Sequence, residues 1–338
     1  MKYCMLLWPH SNARYQNETL KLAESELRLM LDVLMPEAVI STYAALSMPA
    51  LQLELPGEMP QLLLEALQQH SLMYALFALQ ENGALMPVAG RAEAYVGGDL
   101  AGILKYKGKT NELFLQLLIN AALYASAFAR RASDRLELLD PMCGRGTTLF
   151  VAANRGWNTT GTDVDKNDLT EAEKFLKRYF EYHRRKYALK KSSRTVQGGK
   201  NAPVSQFSFA DTAEAFREGD VSALSLCNGD ATRTRETFGR EKFHLIACDL
   251  PYGVQHGAVG GNPEQLLAKV APGWLQTLKR GGALAVSFNA QTLKTARVRS
   301  ILEDAGFEVM QGGAYDGFSH WVEQAVTRDI AVAVKKEA

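Results

Sequence analysis

Hydrophobic residues in the first part of the chain recur at helix spacings and strand spacings in turn. Leu27, Leu31 and Leu34 lie three and four positions apart, which places them on one face of a helix. The pattern predicts, in order, a strand at 2–8, a helix at 17–35, strands at about 39–44 and 51–55, a helix at about 60–69 and a strand at 72–79. This β-α-β-β-α-β order is that of a ferredoxin-like fold, which hosts many functions.

From about residue 105 onward, apolar strand segments alternate with amphipathic helices. Repeated strand–helix units of this kind predict an α/β domain with a mostly parallel sheet and helices on both faces. The predicted strands are 136–140, 159–163, 224–228, 244–249, 283–288, 307–311 and 328–334. The predicted helices are 110–131, 147–155, one from about 169, 263–278 and 292–305.

The change of pattern divides the chain into two predicted domains. Residues 1–88 form the ferredoxin-like α+β domain, residues 89–104 form a glycine-rich linker, and residues 105–338 form the α/β domain. The stretch at about 190–223 interrupts the alternation and is predicted to be an insertion, partly loop. A chain of 338 residues is long enough for two domains.

Composition narrows the classes of function. The net charge of +1 excludes a globally basic nucleic-acid-binding protein, so a phosphate-binding surface must arise from local clustering of charge. The four cysteines are not spaced as zinc ligand pairs, which predicts a reduced, cytoplasmic protein without a metal site. The longest apolar stretch, residues 113–129, contains Gln116 and Asn120 and therefore predicts a buried helix rather than a membrane span.

The strongest local signal is the segment Asp140–Thr148, which lies between an apolar strand and a helix. Gly144 and Gly146 allow a tight turn and the close approach of a ligand, and the helix N-terminus offers N–H groups to a carboxylate. A dinucleotide site would need a third glycine at Leu149, and a P-loop would need its first glycine one residue after Gly102. A structural turn without a ligand is the remaining alternative.

Acidic residues follow the next two predicted strands. Asp163 lies about twenty residues after the glycine-rich turn, a spacing at which an acid reaches the ribose hydroxyls of a bound nucleoside. Asp165 is instead a candidate cap of the following helix. Asp230 follows the third strand and can accept a hydrogen bond from an adenine amino group, although an Asx turn explains the same residue.

The fourth predicted strand ends in Asp249-Leu250-Pro251-Tyr252. A conjugated amino nitrogen is a poor nucleophile, and two acceptors bonded to its N–H groups align its lone pair for methyl transfer. Asp249 would supply one acceptor and the Leu250 carbonyl the other, while Pro251 stiffens the turn and Tyr252 stacks on a base that has left its stack. An ordinary polar turn is the alternative. Cys248 should face the opposite side, so no cysteine is placed as a nucleophile for carbon methylation.

Residues 174–200 concentrate positive charge. Ten lysines and arginines lie there against a single acid, Glu181, with aromatic residues among them. The pattern suits phosphate contacts and base stacking, whereas a solvated helix face with a buried aromatic stripe is the alternative. The candidate nucleic-acid contacts are Lys190, Lys191 and Arg194, together with Phe318 and Trp321, which are candidates for contact with the base or for the core.

These motifs resemble those of class I S-adenosylmethionine-dependent N-methyltransferases, and in detail the Trm-eleven-like, THUMP-associated RNA methyltransferase group. The resemblance is carried by Lys105–Glu112, Asp140–Thr148, Asp163, Asp230, Asp249–Tyr252 and Lys279–Gly282. It implies a Rossmann-like, seven-stranded methyltransferase sheet with S-adenosyl-L-methionine as cofactor. The implied cofactor-binding residues are Asp140, Cys143, Gly144, Gly146, Thr147, Asp163, Asp230 and Ala231. The family tetrapeptide usually has two prolines, and Leu250 stands in place of the first; a THUMP module is not visible in the sequence.

The predicted function is methyl transfer to guanine N2 or adenine N6 in RNA such as tRNA. RNA is favoured over DNA as the partner, and no membrane contact is expected. A DNA adenine N6-methyltransferase is one alternative, although it would carry a long target-recognition region. A non-catalytic nucleic-acid-binding subunit is another, although it need not retain Asp140 and Asp249. A protein-glutamine methyltransferase shares the chemistry but usually has asparagine at the first tetrapeptide position.

Overall fold

The chain folds into two compact units. The first unit contains residues 1–92 and 311–330, and the second contains residues 93–310 and 331–338. Residues 311–330 belong by sequence order to the predicted α/β domain, so the first unit is built from two separate stretches of chain. The computed structural model describes residues 1–9, 13–44, 48–196, 201–251 and 262–337.

The first unit contains an antiparallel sheet and two helices within residues 1–92. Its elements are β1 (Lys2–Leu7), α1 (Ala13–Leu34), β2 (Val39–Thr42), β3 (Ala50–Glu54), α2 (Gln61–Gln68), β4 (Met73–Leu79) and β5 (Leu85–Gly90). The sheet has five strands in the order β2-β3-β1-β4-β5. The first six elements follow the predicted order, and β5 is an additional strand.

The apolar face of α1 and the central strand β1 supply the core of this unit. Leu27 and Leu31 of α1 are buried, as their four-residue spacing predicts. The strand β5 escaped prediction because it is an edge strand, with Met86 and Val88 exposed and Pro87 unable to donate a ladder hydrogen bond. Such a strand lacks the alternation of apolar and polar residues that marks a half-buried one.

The second unit alternates helices and strands. Its elements up to residue 310 are α3 (Leu100–Ile103), α4 (Glu112–Ala125), β6 (Glu137–Asp140), α5 (Thr147–Ala153), β7 (Asn158–Asp163), α6 (Lys166–Tyr182), β8 (Tyr187–Arg194), β9 (Ala202–Phe209), α7 (Ala213–Glu218), β10 (Ser222–Asn228), α8 (Thr234–Phe238), β11 (Phe243–Asp249), α9 (Pro263–Thr277), β12 (Leu278–Asn289), α10 (Thr295–Asp304) and β13 (Glu308–Met310). The remaining strands are β14 (His320–Glu323) and β15 (Val326–Val334).

These strands form a mixed sheet in the order β13-β15-β12-β11-β6-β7-β10-β9-β8, with β14 paired to β15. The pairs β6–β7, β7–β10, β6–β11 and β11–β12 are parallel, which agrees with the predicted Rossmann-like α/β class. The sheet has ten strands within the described residues, whereas seven were predicted.

The antiparallel hairpin β8–β9 accounts for two of the additional strands, and β14 is the third. The hairpin lies in the stretch predicted to be an insertion that is partly loop. Most side chains of β8 are exposed because it is an edge strand, so its sequence gives no alternating signal. The predicted turn at Lys279–Gly282 is likewise part of β12, where the register shifts and Gly281 has a φ of +70°.

The core of the second unit lies between β11, β12 and α9. Trp274, Phe243 and Ile246 are fully buried in it. In the described part of the chain, no helix has both the length and the apolar character needed to span a bilayer. The predicted apolar helix at 113–129 is α4, whose buried residues include Leu117 and Leu118.

Residues 311–330 complete the first unit by contacting α1. Lys21 Nζ donates a hydrogen bond to the Ser319 carbonyl oxygen at 3.4 Å. A β-carbon on Gly317 would collide with the Ser25 side chain of α1, so glycine permits this close approach. Phe318 is fully buried.

Candidate active site

The candidate site lies at the carboxyl edge of the parallel strands in the second unit. The chain passes from β6 outward to β7 and β10 and then returns to β11 on the other side of β6. The strand order therefore reverses between β6 and β11, and open α/β sheets bind ligands at such a switch point. Asp140 ends β6 and Asp249 ends β11, so the two strands that flank the switch point each end in a carboxylate.

Hydrogen bonds connect the turn after β6 to the end of β7. The Cys143 N–H donates to the Thr162 carbonyl oxygen at 2.9 Å, and Thr162 Oγ1 donates to the Pro141 carbonyl oxygen at 2.8 Å. The Gly144 N–H donates to Asp163 Oδ2 at 2.8 Å. The structure thus brings together the glycine-rich turn and Asp163, two features that the sequence placed in one site.

Glycines let this turn and β7 approach each other closely. A β-carbon on Gly161 would lie 2.6 Å from Cys143 Sγ and 2.5 Å from Leu149 Cδ1. Gly144 and Gly146 have φ values of +49° and +84°, in the left-handed region that favours glycine. A β-carbon on Gly144 would meet nothing within 4 Å, so the backbone of the turn is open to a ligand.

Asp140 is a buried carboxyl group with a perturbed pKa. Burial raises its pKa to about 7, and the nearby charges of Asp163 and Asp249 add to the increase. Hydrogen bonds from Thr148 and from the Met142 N–H oppose the shift. A cluster of carboxylates at a strand edge, one of them strongly perturbed, is typical of a binding site for a cationic ligand.

Asp163 and Asp165 have different partners. Burial raises the pKa of Asp163, and its Oδ1 accepts a hydrogen bond from the Asp165 N–H at 2.8 Å. The Asp165 carboxylate accepts a hydrogen bond from the Asn167 N–H at 2.7 Å and so caps α6. The capping alternative considered for Asp165 therefore agrees with the structure.

The end of β10 is tied to the end of β7. Asn228 Nδ2 donates to the Asp163 carbonyl oxygen at 2.9 Å. The exposed Asp230 accepts a hydrogen bond from the Thr232 N–H at 2.8 Å, which is the Asx-turn geometry considered as its alternative role. Ala231 is buried beside it. The adenine contact of Asp230 and Ala231 stays a prediction.

Asp249 is held through both carboxylate oxygens. Thr110 Oγ1 donates to Oδ2 at 2.6 Å, and Ser287 Oγ donates to Oδ1. The Leu250 N–H donates to the Ser287 carbonyl oxygen at 2.9 Å, so β12 also fixes the residue that follows Asp249. Leu250 is buried and Pro251 is exposed, while Tyr252 lies outside the described residues.

The stretch before α4 provides contacts that the sequence interpretation did not include. The Tyr106 hydroxyl and Thr147 Oγ1 are 3.1 Å apart, and the Arg145 guanidinium lies 4.8 Å from the centre of the Tyr106 ring. Thr110, on the same stretch, reaches Asp249. The resemblance pointed to this stretch as a whole but gave no role to its individual side chains.

The two cysteines near the site are buried thiols. Burial raises the pKa of Cys143 and of Cys248. Cys248 is fully buried in the core, whereas Asp249 is partly exposed, as expected for neighbouring strand residues that face opposite sides. In the described ranges no three metal-ligating side chains cluster in a way that would hold an ion.

The basic segment 174–200 divides into paired and unpaired residues. Lys191 forms an ion pair with Glu173 at 3.1 Å, and Lys177 forms one with the same carboxylate at 2.9 Å. The Arg194 guanidinium lies 5.1 Å from the centre of the Phe238 ring. Lys190 is exposed. Within the described residues, the exposed basic side chains of this segment that make no ion pair are Arg178, Arg184, Lys186, Lys190 and Arg194.

The aromatic residues of the basic segment are mostly core residues. Tyr179 and Phe180 are buried, and Tyr187 stacks on Phe180 with ring centres 5.2 Å apart. Tyr182 is the exception, because 84% of its surface is exposed. The buried-stripe alternative therefore applies to Tyr179 and Phe180.

The two aromatic candidates near the C-terminus belong to the first unit. Phe318 is fully buried, which agrees with the core alternative considered for it. Trp321 is partly buried in β14, and its contact with a base stays a prediction.

One protein-family model matches this chain. The model of the RMKL-like methyltransferase domain matches residues 118–315. A comparison with curated protein sequences gave no match.

Solved structures similar to this chain include three methyltransferases. The rRNA methyltransferase aviRa from Streptomyces viridochromogenes is 15% identical with a TM-score of 0.43, over 71% of this chain and 91% of that chain. Magnesium protoporphyrin IX methyltransferase from Synechocystis PCC 6803 is 16% identical with a TM-score of 0.38, over 70% and 90%. A TehB-like S-adenosylmethionine-dependent methyltransferase from Corynebacterium glutamicum is 14% identical with a TM-score of 0.34, over 60% and 81%.

Proposed function

Because the chain belongs to the RMKL-like methyltransferase domain family and is an S-adenosylmethionine-dependent methyltransferase, we propose that it methylates an exocyclic amino nitrogen of a base in RNA. The observation that carries the proposal is the carboxylate of Asp249, held by two hydroxyl donors at the switch point of the sheet. An anchored acceptor at this position suits a nucleophile that must be aligned through its N–H groups.

Methyl transfer to an amino nitrogen requires hydrogen-bond acceptors for its N–H groups rather than a general acid. The lone pair of the amino nitrogen attacks the methyl carbon, a nitrogen–carbon bond forms, and the carbon–sulfur bond breaks with its electrons remaining on sulfur. S-adenosylmethionine supplies the methyl group as a good electrophile because its sulfur is cationic. Asp249 and the Leu250 carbonyl would accept the two N–H groups, and the methylated nitrogen would then release one proton to solvent water, which restores a neutral amine.

The residues around the turn fit S-adenosylmethionine. This cofactor carries an ammonium group, a sulfonium, ribose hydroxyls and an adenine amino group, all of which are cations or donors. The site offers the matching acceptors in Asp140, Asp163 and Asp230, and the open space beside Gly144 allows close approach to the backbone. We assign the cofactor to these residues together with Cys143, Gly146, Thr147 and Ala231.

The raised pKa of Asp140 predicts a pH-dependent response to the cofactor. In the unfolded chain an aspartate has a pKa near 3.9, whereas burial raises that of Asp140 to about 7. Between these values the folded protein holds an extra proton, so the contribution of Asp140 to stability falls as pH rises from about 4 to about 7. A cationic ligand favours the ionised carboxylate. We therefore expect saturating S-adenosylmethionine to raise Tm more at about pH 7.5 than at about pH 6.

Thermal unfolding with and without cofactor at the two pH values measures this effect. Asp140→Asn is the matched control, since it removes the titrating group and should make the increase in Tm small and independent of pH. An increase in wild-type Tm that is the same at both pH values would contradict a role for Asp140 in holding the cofactor.

The exposed part of the basic segment supports RNA as the substrate. Arg178, Arg184, Lys186 and Lys190 are exposed and make no ion pair within the described residues, and Tyr182 is exposed beside them. Unpaired cations next to an exposed aromatic side chain suit phosphate contacts and base stacking. We propose that Lys190, Lys191 and Arg194 extend this surface along β8.

Reversing the charge of Lys190, Lys191 and Arg194 to glutamate is expected to weaken RNA binding and to make it less sensitive to salt. Each lost phosphate contact should reduce the slope of log K against log salt by about 0.7 to 0.9. Binding titrations at several salt concentrations measure both quantities. Reversal of three exposed cations elsewhere, at Arg240, Lys269 and Lys336, changes the net charge equally and should have a smaller effect. Equal effects of the two triple variants would contradict RNA binding by the basic segment and would favour the alternative of a solvated face.

We also propose finer assignments that follow from the resemblance. The target is guanine N2 or adenine N6, in an enzyme of the Trm-eleven-like group that acts in the cytoplasm. The strand order of β1 to β4, with two helices between them, supports a ferredoxin-like module in residues 1–88 that β5 extends. Residues 105–338 would then carry the catalytic domain after a linker at 89–104.

Transfer of labelled methyl from S-adenosylmethionine to tRNA, rRNA and genomic DNA, followed by nucleoside analysis, tests the function. Label in N2-methylguanosine or N6-methyladenosine of an RNA would support the proposal and identify the base. Label in DNA alone would favour a DNA adenine methyltransferase. The absence of label in all three nucleic acids would overturn the proposal and point to a protein or small-molecule substrate.

A further inference from the structure

The strongest unexplained feature of the site is the pair of hydroxyl groups that hold Asp249. Thr110 comes from the stretch before α4, and Ser287 comes from the carboxyl end of β12, where it lies beside Asp249 in the register. The Ser287 side chain is fully buried in a strand that is otherwise apolar around it, between Val286 and Phe288. A buried hydroxyl at such a position needs a hydrogen-bond acceptor, and Asp249 provides it.

We propose that Thr110 and Ser287 are positioning residues, which fix the Asp249 carboxylate so that it accepts an N–H of the target amine. The inference rests on the proposed function and assigns two residues to the same site. One hydroxyl donates to each carboxylate oxygen, so a rotation of the carboxylate about its last side-chain bond would break both hydrogen bonds. A carboxylate offers about four acceptor positions, which is more than the two that the Thr110 and Ser287 hydroxyls use.

Thr110 is itself held on both sides along the chain. Lys109 Nζ donates to the Ala101 carbonyl oxygen at 2.6 Å, and the Asn111 side chain caps α4 by accepting from the Leu113 N–H at 2.8 Å. Tyr106, four residues before Thr110, contacts Thr147 at the start of α5. The stretch therefore links the cofactor turn to Asp249, and it is anchored independently of the Thr110 hydroxyl.

The two residues are expected to act on turnover rather than on cofactor binding. Thr110→Val keeps the shape of the side chain and removes the donor, and we expect kcat to fall about 10- to 100-fold with the Kd of S-adenosylmethionine unchanged, because small misplacements of a reacting group are costly. Ser287→Ala should act in the same direction. The fold-decrease in kcat of the double variant should be much smaller than the product of the two single decreases, since both hydroxyls act through one carboxylate.

Thr110→Ser is the variant that separates positioning from a merely structural contribution. It restores the hydroxyl but not the methyl group, so kcat should return to within about threefold of the wild-type value if the hydrogen bond is what matters. Thr170→Val is the matched control, because it makes the same exchange at an exposed threonine of α6. The Thr170 hydroxyl donates to the Lys166 carbonyl oxygen at 2.8 Å within the helix, so its removal should leave kcat close to that of the wild type.

Steady-state methyl transfer to the RNA that the labelling experiment identifies, with cofactor binding measured in parallel, tests the inference. Wild-type kcat in Thr110→Val, an equal loss in Thr110→Ser, or a loss confined to cofactor affinity would each overturn it while leaving the proposed function intact. A wild-type protein that methylates no base would instead overturn the proposed function, and the inference would fall with it.

Discussion

Asp249→Ala is expected to reduce kcat for methyl transfer by about 10²- to 10⁴-fold while S-adenosylmethionine binds as before. The carboxylate is the anchored acceptor at the end of β11, and its loss leaves the amino nitrogen without the hydrogen bond that orients its lone pair. The cofactor contacts proposed here come from β6, β7 and β10, so they do not depend on the Asp249 side chain. Steady-state kinetics together with equilibrium binding of the cofactor measure the two quantities separately.

Two further variants test whether the loss of turnover is specific to the Asp249 carboxylate. Asp249→Asn keeps the shape and one carbonyl acceptor, so its activity should lie between those of the wild type and the alanine variant. Asp304→Ala removes an exposed carboxylate at the end of α10 and should change neither quantity. An alanine variant of Asp249 that loses cofactor binding together with turnover would mean that the two halves of the site have been assigned to the wrong residues.

Gly161→Ala is expected to lower the free energy of unfolding by about 1–3 kcal/mol, because an added methyl group in a packed core forces its neighbours apart. The new β-carbon would lie 2.8 Å from Cys143 Cβ and 2.5 Å from Leu149 Cδ1, and both residues are buried. Cys143 belongs to the turn proposed to hold the cofactor, so its displacement should also weaken S-adenosylmethionine binding. Thermal or denaturant unfolding measures the first effect, and a binding titration measures the second.

Gly273→Ala is the matched control for this variant. Gly273 lies inside α9 and a β-carbon there meets nothing within 4 Å, so alanine should raise the free energy of unfolding by about 0.5–1 kcal/mol through its higher helix propensity. A decrease in the free energy of unfolding for Gly161→Ala and an increase for Gly273→Ala would distinguish the effect of close packing from that of helix propensity. A Gly161→Ala protein with unchanged stability and cofactor affinity would contradict the prediction, because the turn would then shift without any loss of either.

The sequence predicted the parallel part of the large sheet because its strands are buried on both faces. Leu138 and Leu139 in β6 and Leu245 and Ile246 in β11 are fully buried, and such continuous apolar runs with turn residues at their ends are readily recognised. The edge elements were missed for the opposite reason. β8 exposes most of its side chains, so its polar sequence resembles that of a loop even though each of its residues has a partner residue in β9.

The candidate site was predictable where chemistry and chain order coincide. The glycine-rich turn and Asp163 each follow a strand, and neighbouring parallel strands bring their carboxyl ends to one edge. Thr110 was not predictable in this way, because it lies far from Asp249 along the chain and its role depends on a single tertiary contact. Ser287 did carry a signal, since a polar residue in the apolar run of β12 that pairs with the strand ending in Asp249 requires a buried partner.

Chain order does not reveal how the segment before β15 groups in the structure. Phe318 and Trp321 follow the predicted α/β elements in sequence and were therefore placed with them, yet the segment groups with residues 1–92. The segment contacts α1 at Lys21 and Gly317, and no periodicity within the segment predicts these contacts.

The discontinuous first unit has a consequence for biosynthesis. Residues 1–92 leave the ribosome early, but the partner segment of α1 is not available until residue 330 has been translated. At typical elongation rates this interval is roughly 10–50 s, during which residues 1–92 lack the segment 311–330. Nascent chains of this protein should therefore present the 311–330 face of α1 to chaperones for much of their synthesis, and pulse proteolysis of stalled nascent chains should find this unit protected only after residue 330 has emerged.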